Sequence, residues 1–504
     1  MPSRTSADPR GPARRRPGQI LALLAFAQCI IAVDYNIVFV ALPEIGRGLH
    51  FAPHNLQWVA SAYAVAFGGF LLLGGRATDL FGRPRMFRLG LFLYAGSSLL
   101  GGLARSPELL IAARALQGLG GAFLAPATLS LVTTSFEEGA ERNRALAVWG
   151  GAGGSGMVLG SLLGGVLTQA WGWSSVFYVN VVLAGGALLV SFPLLGRDRG
   201  AASGRTFDLA GALTATAGSL LLVFALVEGP VAGWASATTL GSAAAAVVLL
   251  AAFLAVEARI AEPLMPLRLF RNRNLSTGTV VGFMFMATFG ALAYFFTQYF
   301  QLVQGYSALR TGFAFLVPCA SVFVGTVLGG KAATRLGVRN TLLLSLGLGA
   351  VGTVALGLSL SPTSHYAVLV PSLAVLSVGQ GMVFTAMFAA ASTGVAAQDQ
   401  GIGSGITTTG VQIGGAVGLA ILVAMANSSS AHHVSDTVRA ATTHGIRVAI
   451  YAAAAGIALT LLAALNFRRP APEVAVAEVA VPEFAVPELA VPEPALEALA
   501  AEQV

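Results

Sequence analysis

An acidic side chain, Asp34, lies deep inside an apolar stretch that runs from residue 20 to residue 42. A helix rises about 1.5 Å per residue, so the carboxyl lies roughly 22 Å along it, beyond the middle of a hydrocarbon core about 30 Å thick. A charged Asp at such a depth costs about 2.5–3.5 kcal/mol, and residues of this kind mark proton or substrate paths. A carboxyl that is neutral in apolar surroundings and ionised when hydrated can couple proton binding to the side on which a cavity opens. We therefore expect Asp34 to carry protons; the alternative is that it only bonds a neighbouring helix.

The composition is that of an integral membrane protein. Of the 504 residues, 56% are hydrophobic and 10% are charged, and the mean hydropathy is +0.77. Soluble proteins carry about 25% charged residues. The net charge of +7 does not indicate nucleic-acid binding, because the basic residues are scattered over short loops on one side of the membrane. Cys29 and Cys319 lie in apolar segments and predict no disulfide.

Fourteen apolar windows are long enough to span a membrane, which predicts an all-α polytopic protein. The windows are 19–42, 55–75, 86–105, 108–134, 144–169, 174–195, 208–228, 236–257, 275–303, 310–332, 340–360, 366–390, 402–426 and 446–466. An even number of spans places both termini on one side. With that side in the cytoplasm, cytoplasmic segments hold 23 Lys and Arg residues and external segments hold five. This bias predicts a plasma (inner) membrane protein with both termini cytoplasmic.

The first and second parts of the chain contain a repeated sequence. The segment after the second span, 75–83, recurs after the tenth span at 330–337, with an offset of 255 residues. Spans 1–6 and 9–14 are therefore predicted to be repeated six-helix halves, and spans 7 and 8 an insertion. The predicted domains are a disordered basic tail at 1–18, the first half at 19–200, the inserted helices at 201–260, the second half at 261–469 and a disordered Pro/Glu/Ala/Val repeat tail at 470–504. Two such halves with a cavity between them are a transporter architecture.

Three motifs resemble those of a known family. The stretch Gly75-x-x-x-Asp79-x-x-Gly82-Arg83-x-Arg85 resembles the signature loop of the major facilitator superfamily. The stretch Arg114-x-x-Gln117-Gly118-x-Gly120-Gly121-Ala122 in span 4 is similar to the family motif that carries a membrane-embedded arginine. Asp34 followed by Ala41-Leu42-Pro43 is similar to the first span of the fourteen-helix drug:proton antiporter branch. The resemblance covers residues 19–466 and implies a fold of two six-helix halves plus two inserted helices.

The chain departs from that branch at three positions. Ser161 stands where the glycine motif of span 5 usually has proline, and Asn36 and Phe39 stand where the first span usually has threonine and asparagine. None of these changes affects the scaffold. They leave antiport less securely assigned and make the substrate face of span 1 atypical.

The resemblance also implies roles for charged residues. Arg114 would tune the proton site or hold water beside it; the alternative is that its long side chain reaches the outer membrane surface. Asp79 with Arg83 and Arg85 would form a cytoplasmic latch that opens and closes as the transporter rocks, together with Gly75 and Gly82. An ordinary basic loop would explain the arginines but not Asp79. The repeat aligns Asp79 with Thr334, which predicts an asymmetric latch.

Glycines recur at every fourth residue of span 5, at Gly156, Gly160 and Gly164, and Gly165 follows. Small residues at this spacing allow helix backbones to approach closely. We expect these glycines to pack against a partner helix at the interface of the two halves and to tolerate no added bulk.

No motif identifies the substrate. Amide and aromatic side chains inside spans are candidates for the wall of a cavity, and each has the alternative of a hydrogen bond between helices. The predicted cavity residues are Asn36, Gln57, Tyr63, Gln117, Gln298, Gln301 and Gln380, with Gln28, Asn180 and Gln412 as further candidates. The 29 Phe residues and few buried charges favour bulky lipophilic molecules over sugars or phosphates.

One motif is misleading. The segment Gly325-x-x-x-x-Gly330-Lys331 matches most of a phosphate-binding loop, but Ala332 replaces the required Ser or Thr. The segment is also a membrane span rather than a turn between a strand and a helix. We therefore expect no ATP, and we predict neither a cofactor nor a metal.

The leading interpretation is a monomeric, proton-coupled exporter of lipophilic drugs or antibiotics. A proton-coupled importer of the same fold stays open because of Ser161. A polytopic membrane enzyme would need a clustered catalytic site, and the loop at 427–445 offers only polar residues that are more simply explained as loop filler. Those residues are His432, His433, Asp436 and His444. A receptor would explain neither the repeat nor Asp34, whose offset counterpart is Phe289 and whose chemistry we therefore assign to the first half.

Overall fold

The computed structural model describes residues 17–52, 55–136, 140–196, 208–260, 263–395, 399–431 and 438–467, without the side chains of a few of them, including Asp79. The predicted C-terminal tail and all but the last two residues of the N-terminal tail lie outside the described residues. The same holds for His432, His433 and Asp436.

Each predicted window coincides with a helix. The helices are α1 Pro17–Gly48, α2 Trp58–Phe81, α3 Arg83–Gly102, α4 Pro107–Ser135, α5 Ala140–Trp171, α6 Ser175–Leu194, α7 Leu209–Ala232, α8 Ala237–Arg259, α9 Arg273–Val303, α10 Ala308–Leu336, α11 Val338–Ser359, α12 Tyr366–Ser392, α13 Gln400–Ala431 and α14 Val438–Leu465. We call the end of the bundle where α1 begins the terminal end, and the end where α1 finishes the far end.

Thirteen helices in the described part of the chain are long and apolar enough to cross a membrane. The exception is α3, a continuous helix of 20 residues that begins with Arg83, Arg85 and Arg88 and is therefore less apolar than the others. It packs along α4 and α6 like a member of the bundle. The predicted third span thus forms a helix, but its composition alone does not identify it as a membrane span.

The helix α9 is irregular. Two π-helical turns, Met286–Gly290 and Tyr299–Val303, interrupt its α-helical segments. Phe315 similarly separates two α-helical segments of α10. Turns of this kind bulge out of a helix and often lie at functional sites. The hydrophobic pattern of α9 did not predict them.

The helix pairs of the first six helices recur eight helices later. The pairs α1–α5, α2–α4, α3–α4 and α3–α6 pack together, and so do α9–α13, α10–α12, α11–α12 and α11–α14. A single residue of positive φ joins α2 to α3 and α10 to α11: Gly82 at 93° and Gly337 at 79°, a conformation that glycine adopts without strain. These two glycines are 255 residues apart, the offset that the sequence predicts.

The glycine seam of α5 packs against α1. A Cβ atom added at Gly156, Gly160 or Gly164 would approach the carbonyl oxygens of α1, at 2.5 Å from that of Val33 in the case of Gly160. Because α1 belongs to the same group of six helices, the prediction that these three glycines lie between the halves is wrong. Gly165 is different, since a Cβ there would lie 2.8 Å from the Ala308 carbonyl of α10.

The second group of helices has its own seam. Gly410, Gly414 and Gly418 of α13 lie against Thr279, Phe283 and Ala287 of α9, again at a spacing of four residues. The same small-residue spacing in the sequence of span 13 could have predicted it. The α1–α5 and α9–α13 pairs are therefore held by the same kind of contact, a seam of glycines at a spacing of four residues.

Apolar cores distinguish the two ends of the bundle. The far-end residues of α1, from Val33 to Ile45, belong to one core with α9, α12 and α14. Its terminal-end residues, from Ile20 to Ile31, belong to a separate core with residues of α2 to α6. The first six helices thus share a core with the last six at the far end and keep their own at the terminal end.

Candidate functional site

Asp34 lies on α1 and is paired with a buried arginine. Its Oδ2 accepts a hydrogen bond from Arg114 Nη1 of α4 at 2.7 Å. Its Oδ1 accepts bonds from Gln117 Nε2 at 2.8 Å and from Asn180 Nδ2 of α6 at 2.7 Å. The side chains of Asp34 and Arg114 are 0% and 2% exposed, so the ion pair is sealed inside the first six helices.

The Arg114 side chain runs inward. Its Nε donates to the carbonyl of Val59 on α2 at 2.9 Å, and its Nη1 also donates to Gln117 Oε1 at 2.6 Å. The guanidinium carbon lies 4.4 Å from the centre of the Tyr63 ring, a cation–π contact. The alternative in which Arg114 reaches the membrane surface is therefore not what the structure shows.

Neutral side chains complete the network. Gln117 Nε2 donates to Ser98 Oγ of α3 at 2.9 Å, and Asn180 Nδ2 also donates to the Val176 carbonyl at 3.2 Å. The network thus joins five of the first six helices. Removing one partner of a buried ion pair costs about 3–5 kcal/mol because the other charge is left alone, so the Asp34–Arg114 pair helps to hold these helices together.

A small pocket lies beside this network, between the first six helices and the last six. It is lined by Tyr35, Phe39, Ala60, Ser61, Ala64, Met286, Gly290, Ala291, Gln412, Gly415, Ala416 and Leu419. These residues come from α1, α2, α9 and α13. The walls are mostly apolar or aromatic, with one amide and two hydroxyl groups. Asp34 does not line the pocket, although the next residue, Tyr35, does.

The predicted cavity residues separate into three groups. Gln412 lines the pocket, and Tyr63 and Gln117 belong to the Arg114 network. Asn36 Nδ2 donates to the Met157 carbonyl of α5 at 2.8 Å, and Gln301 Nε2 donates to the Val40 carbonyl at 2.8 Å. For Gln117, Asn36 and Gln301 the contacts are the bonds between helices that the sequence left as the alternative.

The remaining candidates are not gathered at one point. Gln298 Nε2 donates to Tyr294 Oη of its own helix at 3.1 Å, and Gln57 is buried directly before α2. Gln380 and Gln28 are half-buried on α12 and α1. The structure therefore brings few of the predicted cavity residues together.

Several residues of the site were not predicted. Tyr35, Phe39 and Met286 line the pocket, and Ser98 completes the Asp34 network. Asn180 was only one of many candidate amides, although it is the amide of span 6 and so carried a signal. Serine is common in membrane helices, and nothing in the sequence distinguishes Ser98 from its neighbours.

The predicted latch segment is not a loop. Gly75 and Asp79 lie within α2, Arg83 and Arg85 lie at the start of α3, and Gly82 alone joins the two helices. Arg83 is half-buried and Arg85 is exposed. The side chain of Asp79 lies outside the described atoms. Among the glycines of α2, Gly74 makes the closest helix contact, since a Cβ there would overlap the Ala122 carbonyl of α4.

The structure also places the segment that resembles a phosphate-binding loop and His444, a residue of the predicted loop. The segment that imitates a phosphate-binding loop lies wholly within α10, and Gly325 faces the Val378 carbonyl of α12. His444 Nδ1 lies 2.8 Å from Ser429 Oγ. Among the described residues, no group of three or more His, Cys, Asp and Glu side chains could hold a metal ion.

Comparison with known proteins identifies the family of the chain. The sequence model of the Major Facilitator Superfamily matches residues 24–419. A puromycin resistance protein of Streptomyces alboniger is 36% identical, over 91% of this chain and 92% of its own. A cephamycin export protein of Amycolatopsis lactamdurans is 37% identical, over 89% of this chain and 93% of its own. A tetracenomycin C resistance and export protein of Streptomyces glaucescens is 32% identical, over 84% and 78%.

Solved structures share the fold. A bacterial homologue of the human lysosomal transporter Spinster superposes with a TM-score of 0.63 at 16% identity, covering 91% of this chain and 100% of its own. The nucleoside transporter NupG gives 0.64 at 11% identity, covering 89% and 100%. The extent of the sequence match and the shared fold lead to one conclusion: this chain is a member of the major facilitator superfamily.

Proposed function

We propose that this protein exports lipophilic small molecules in exchange for protons, by exposing the pocket between its halves to each side of the membrane in turn. The observation that carries the proposal is the Asp34–Arg114 pair, buried in a chain whose relatives include antibiotic resistance and export proteins. An ionisable pair at membrane depth is costly to keep and is characteristic of proton relays.

Proton binding would act by cancelling the charge that holds the network together. A neutral Asp34 leaves the Arg114 guanidinium buried without a counter-charge, which is unfavourable at low dielectric constant. Asn180 is suited to both states, because its Nδ2 donates to the carboxylate while its Oδ1 has no partner among the described residues. After the amide turns, that oxygen can accept the proton of Asp34. The protonated form would therefore favour a different packing of α1, α4 and α6.

Two helices would carry this change to the pocket. On α1, Tyr35 lines the pocket directly after Asp34. On α2, the Val59 carbonyl holds Arg114, while Ala60 and Ser61 face the pocket. Movement of either helix alters the proton site and the pocket together, which is what exchange of protons for substrate requires.

The proton gradient is a sufficient energy source. One proton that moves down about 100 mV supplies roughly 2.3 kcal/mol. At about 1.36 kcal/mol per factor of ten, this maintains roughly a 50-fold gradient of a neutral solute. No ATP site is needed for this function.

The pocket lining favours bulky lipophilic substrates. Tyr35, Phe39 and Met286 supply aromatic and polarisable surface, while Gln412 and Ser61 supply a few polar contacts. Sites for drug-sized molecules have this composition. We infer the class of antibiotic-like molecules from this lining together with the names of the relatives.

The proposal includes a setting for the protein. The arginine bias along the sequence supports an orientation with both termini in the cytoplasm. We propose the inner membrane of a bacterium as the location, in keeping with the bacterial relatives, and a monomer as the transporting unit. The segment around Gly82 supports a latch at the cytoplasmic end, in which Arg83 and Asp79 would exchange partners as the halves rock.

The test is substrate-triggered proton release from energised inverted vesicles. Puromycin, the compound named for one relative, and a lipophilic dye are added in turn, and a pH-sensitive probe reports the protons. We expect release from the parent protein and a loss of at least about tenfold for Asp34→Asn, since the amide cannot take up a proton.

The matched control is Glu44→Gln. Glu44 is an acid on the same helix, but its side chain is 39% exposed and pairs with Arg47 at the surface. This variant should release protons like the parent. Full coupled transport by Asp34→Asn would disprove the role of Asp34. Protons moving in the same direction as the substrate would instead identify an importer.

A further inference from the structure

The two inserted helices bury a second pair of acidic side chains. Asp208 directly precedes α7, and Glu257 lies in the last turn of α8. They are 2% and 3% exposed. Neither belongs to the network of Asp34, which is confined to the first six helices.

One oxygen of each carboxyl group accepts a hydrogen bond from a backbone N–H. Asp208 Oδ1 accepts from the Gly211 N–H at 2.7 Å, and Glu257 Oε2 accepts from the Met265 N–H at 2.8 Å. The first bond caps the start of α7. The second ties the end of α8 to the connection that leads into α9.

The other two oxygens lie near the same residue, Gly211. Asp208 Oδ2 and Glu257 Oε1 are buried, and neither accepts a hydrogen bond from a donor among the described residues. Both lie on the same side of Gly211, because a Cβ added there would overlap Asp208 Oδ2 and lie 2.9 Å from Glu257 Oε1. Two acceptors that lack a donor in the described part of the chain are thus held close together.

The described surroundings of the two carboxyl groups are mostly apolar. Leu73 of α2, Ala212 of α7 and Leu264 of the connection form an apolar cluster here, joined by Phe70 and Leu72. Among the described residues, the charged group that acts on Glu257 is Asp208. Arg259, two residues further on, is exposed. Two adjacent carboxyl groups in apolar surroundings cannot both be ionised.

We propose that Asp208 and Glu257 share one proton, which lies between Oδ2 and Oε1, and that this pair is a second proton-binding site of the protein. The shared proton supplies the donor that both oxygens lack. The site does not depend on the proposed export function, because its geometry involves neither Asp34 nor the pocket.

The position of the site suggests what the proton controls. The pair joins the start of α7, the end of α8 and the connection to α9, and α7 itself packs against both α2 and α13. Loss of the proton would place two negative charges at this junction and separate the three segments. The proton therefore clamps the inserted helices to the connection between the halves.

Infrared spectroscopy of the protein in lipid nanodiscs tests the proposal. A shared proton produces a C=O stretch of a protonated carboxyl at neutral pH, which shifts in D2O. We expect Asp208→Asn and Glu257→Gln each to remove this band, whereas Asp34→Asn and the surface control Glu44→Gln retain it. Loss of the band in either Asp208→Asn or Glu257→Gln is enough for the test, provided that circular dichroism shows that the variant is folded.

Two results would overturn the proposal. One is a parent protein without a protonated-carboxyl band, which would mean that both groups are ionised. The other is a band that persists in both Asp208→Asn and Glu257→Gln, which would assign the proton to another carboxyl group. A band lost only in Asp34→Asn would also overturn the proposal, because it would assign the protonated carboxyl to Asp34. That result would leave the proposed export function untouched.

Discussion

The first six and the last six helices pack in the same pairs but differ in the side chains at corresponding positions. Gly120 of α4 packs against the backbone of Tyr94, and Gly379 of α12 packs against Gly349 in the same way. This contact aligns Leu373 and Leu376 with Arg114 and Gln117. Both leucines are 1% exposed and belong to an apolar core. The ion pair of one half therefore corresponds to hydrocarbon in the other.

The counterpart of Asp34 fits the same contrast. Phe289 is 2% exposed, and its ring lies against Gly349. In the first half, the position of Gly349 is occupied by Tyr94. It lies in a π-helical turn of α9, whereas α1 is regular around Asp34. The comparison teaches that helix packing and buried charge are separable: the seams and turns are common to both halves, and the Asp34–Arg114 network belongs to one.

The largest expected effect comes from making the first half resemble the second. Arg114→Leu installs the residue type of the second half but leaves the Asp34 carboxylate buried without its partner. We expect a loss of about 3–5 kcal/mol in the free energy of unfolding, measured in detergent micelles, together with loss of transport.

Two further variants sharpen that result. Arg47→Leu breaks an exposed pair with Glu44 and should change stability by no more than about 1 kcal/mol. Asp34→Leu combined with Arg114→Leu removes both charges, so it should be more stable than Arg114→Leu alone while remaining unable to couple protons. Equal stability of the single and double variants would contradict the view that the second half simply lacks a buried charge.

The next effect should be the same in both halves. Gly160→Ala places a methyl group 2.5 Å from the Val33 carbonyl of α1, and Gly414→Ala overlaps the Phe283 carbonyl of α9. Each should cost about 1–3 kcal/mol of stability, because the helices must separate to admit the methyl group. Thermal melting in detergent measures the loss.

The control lies on the same helix as the first of these variants. Gly151 has no neighbouring atom within 4 Å of the position of a Cβ. Gly151→Ala should leave the melting temperature unchanged or slightly higher, since alanine favours a helix. If only Gly160→Ala were destabilising, the two seams would not be equivalent.

The smallest effect concerns the contact between the halves at the far end. Gln301→Leu removes the bond to the Val40 carbonyl and should shift the balance toward opening there by about 1 kcal/mol, or roughly fivefold. Distances between spin labels on the far ends of α1 and α9 report the shift. Gln298→Leu removes a bond within α9 and should leave that distance distribution unchanged.

Much of the fold is foreseeable because the bilayer imposes it. A span must be apolar over a fixed length, so all fourteen windows coincide with helices, and the offset between Gly82 and Gly337 reveals the duplication. The network around Asp34 is less accessible, because contacts between spans depend on how each helix is rotated about its axis. Arg114 was predicted to act near Asp34, but Asn180 could not be selected from other amides.

Other features escape sequence reasoning for physical reasons. The π-helical turns of α9 change no residue type and leave the hydrophobic pattern intact. The seam of α5 faces α1 rather than the other half, since glycine spacing indicates a close contact without naming the partner helix. The pairing of Asp208 with Glu257 depends on two residues 49 positions apart at the ends of different helices.

The division of the apolar cores bears on how the chain is made. The core at the terminal end of α1 uses residues of α2 to α6, so it can form as soon as those helices have entered the membrane. The far-end residues of α1, Val38 to Ile45, complete their core only with α9, more than 200 residues later in synthesis. Lipid can cover them meanwhile at little cost, because hydrocarbon tails are as apolar as their eventual partners. The proton site should therefore be assembled on the ribosome-bound chain before the pocket that it serves exists.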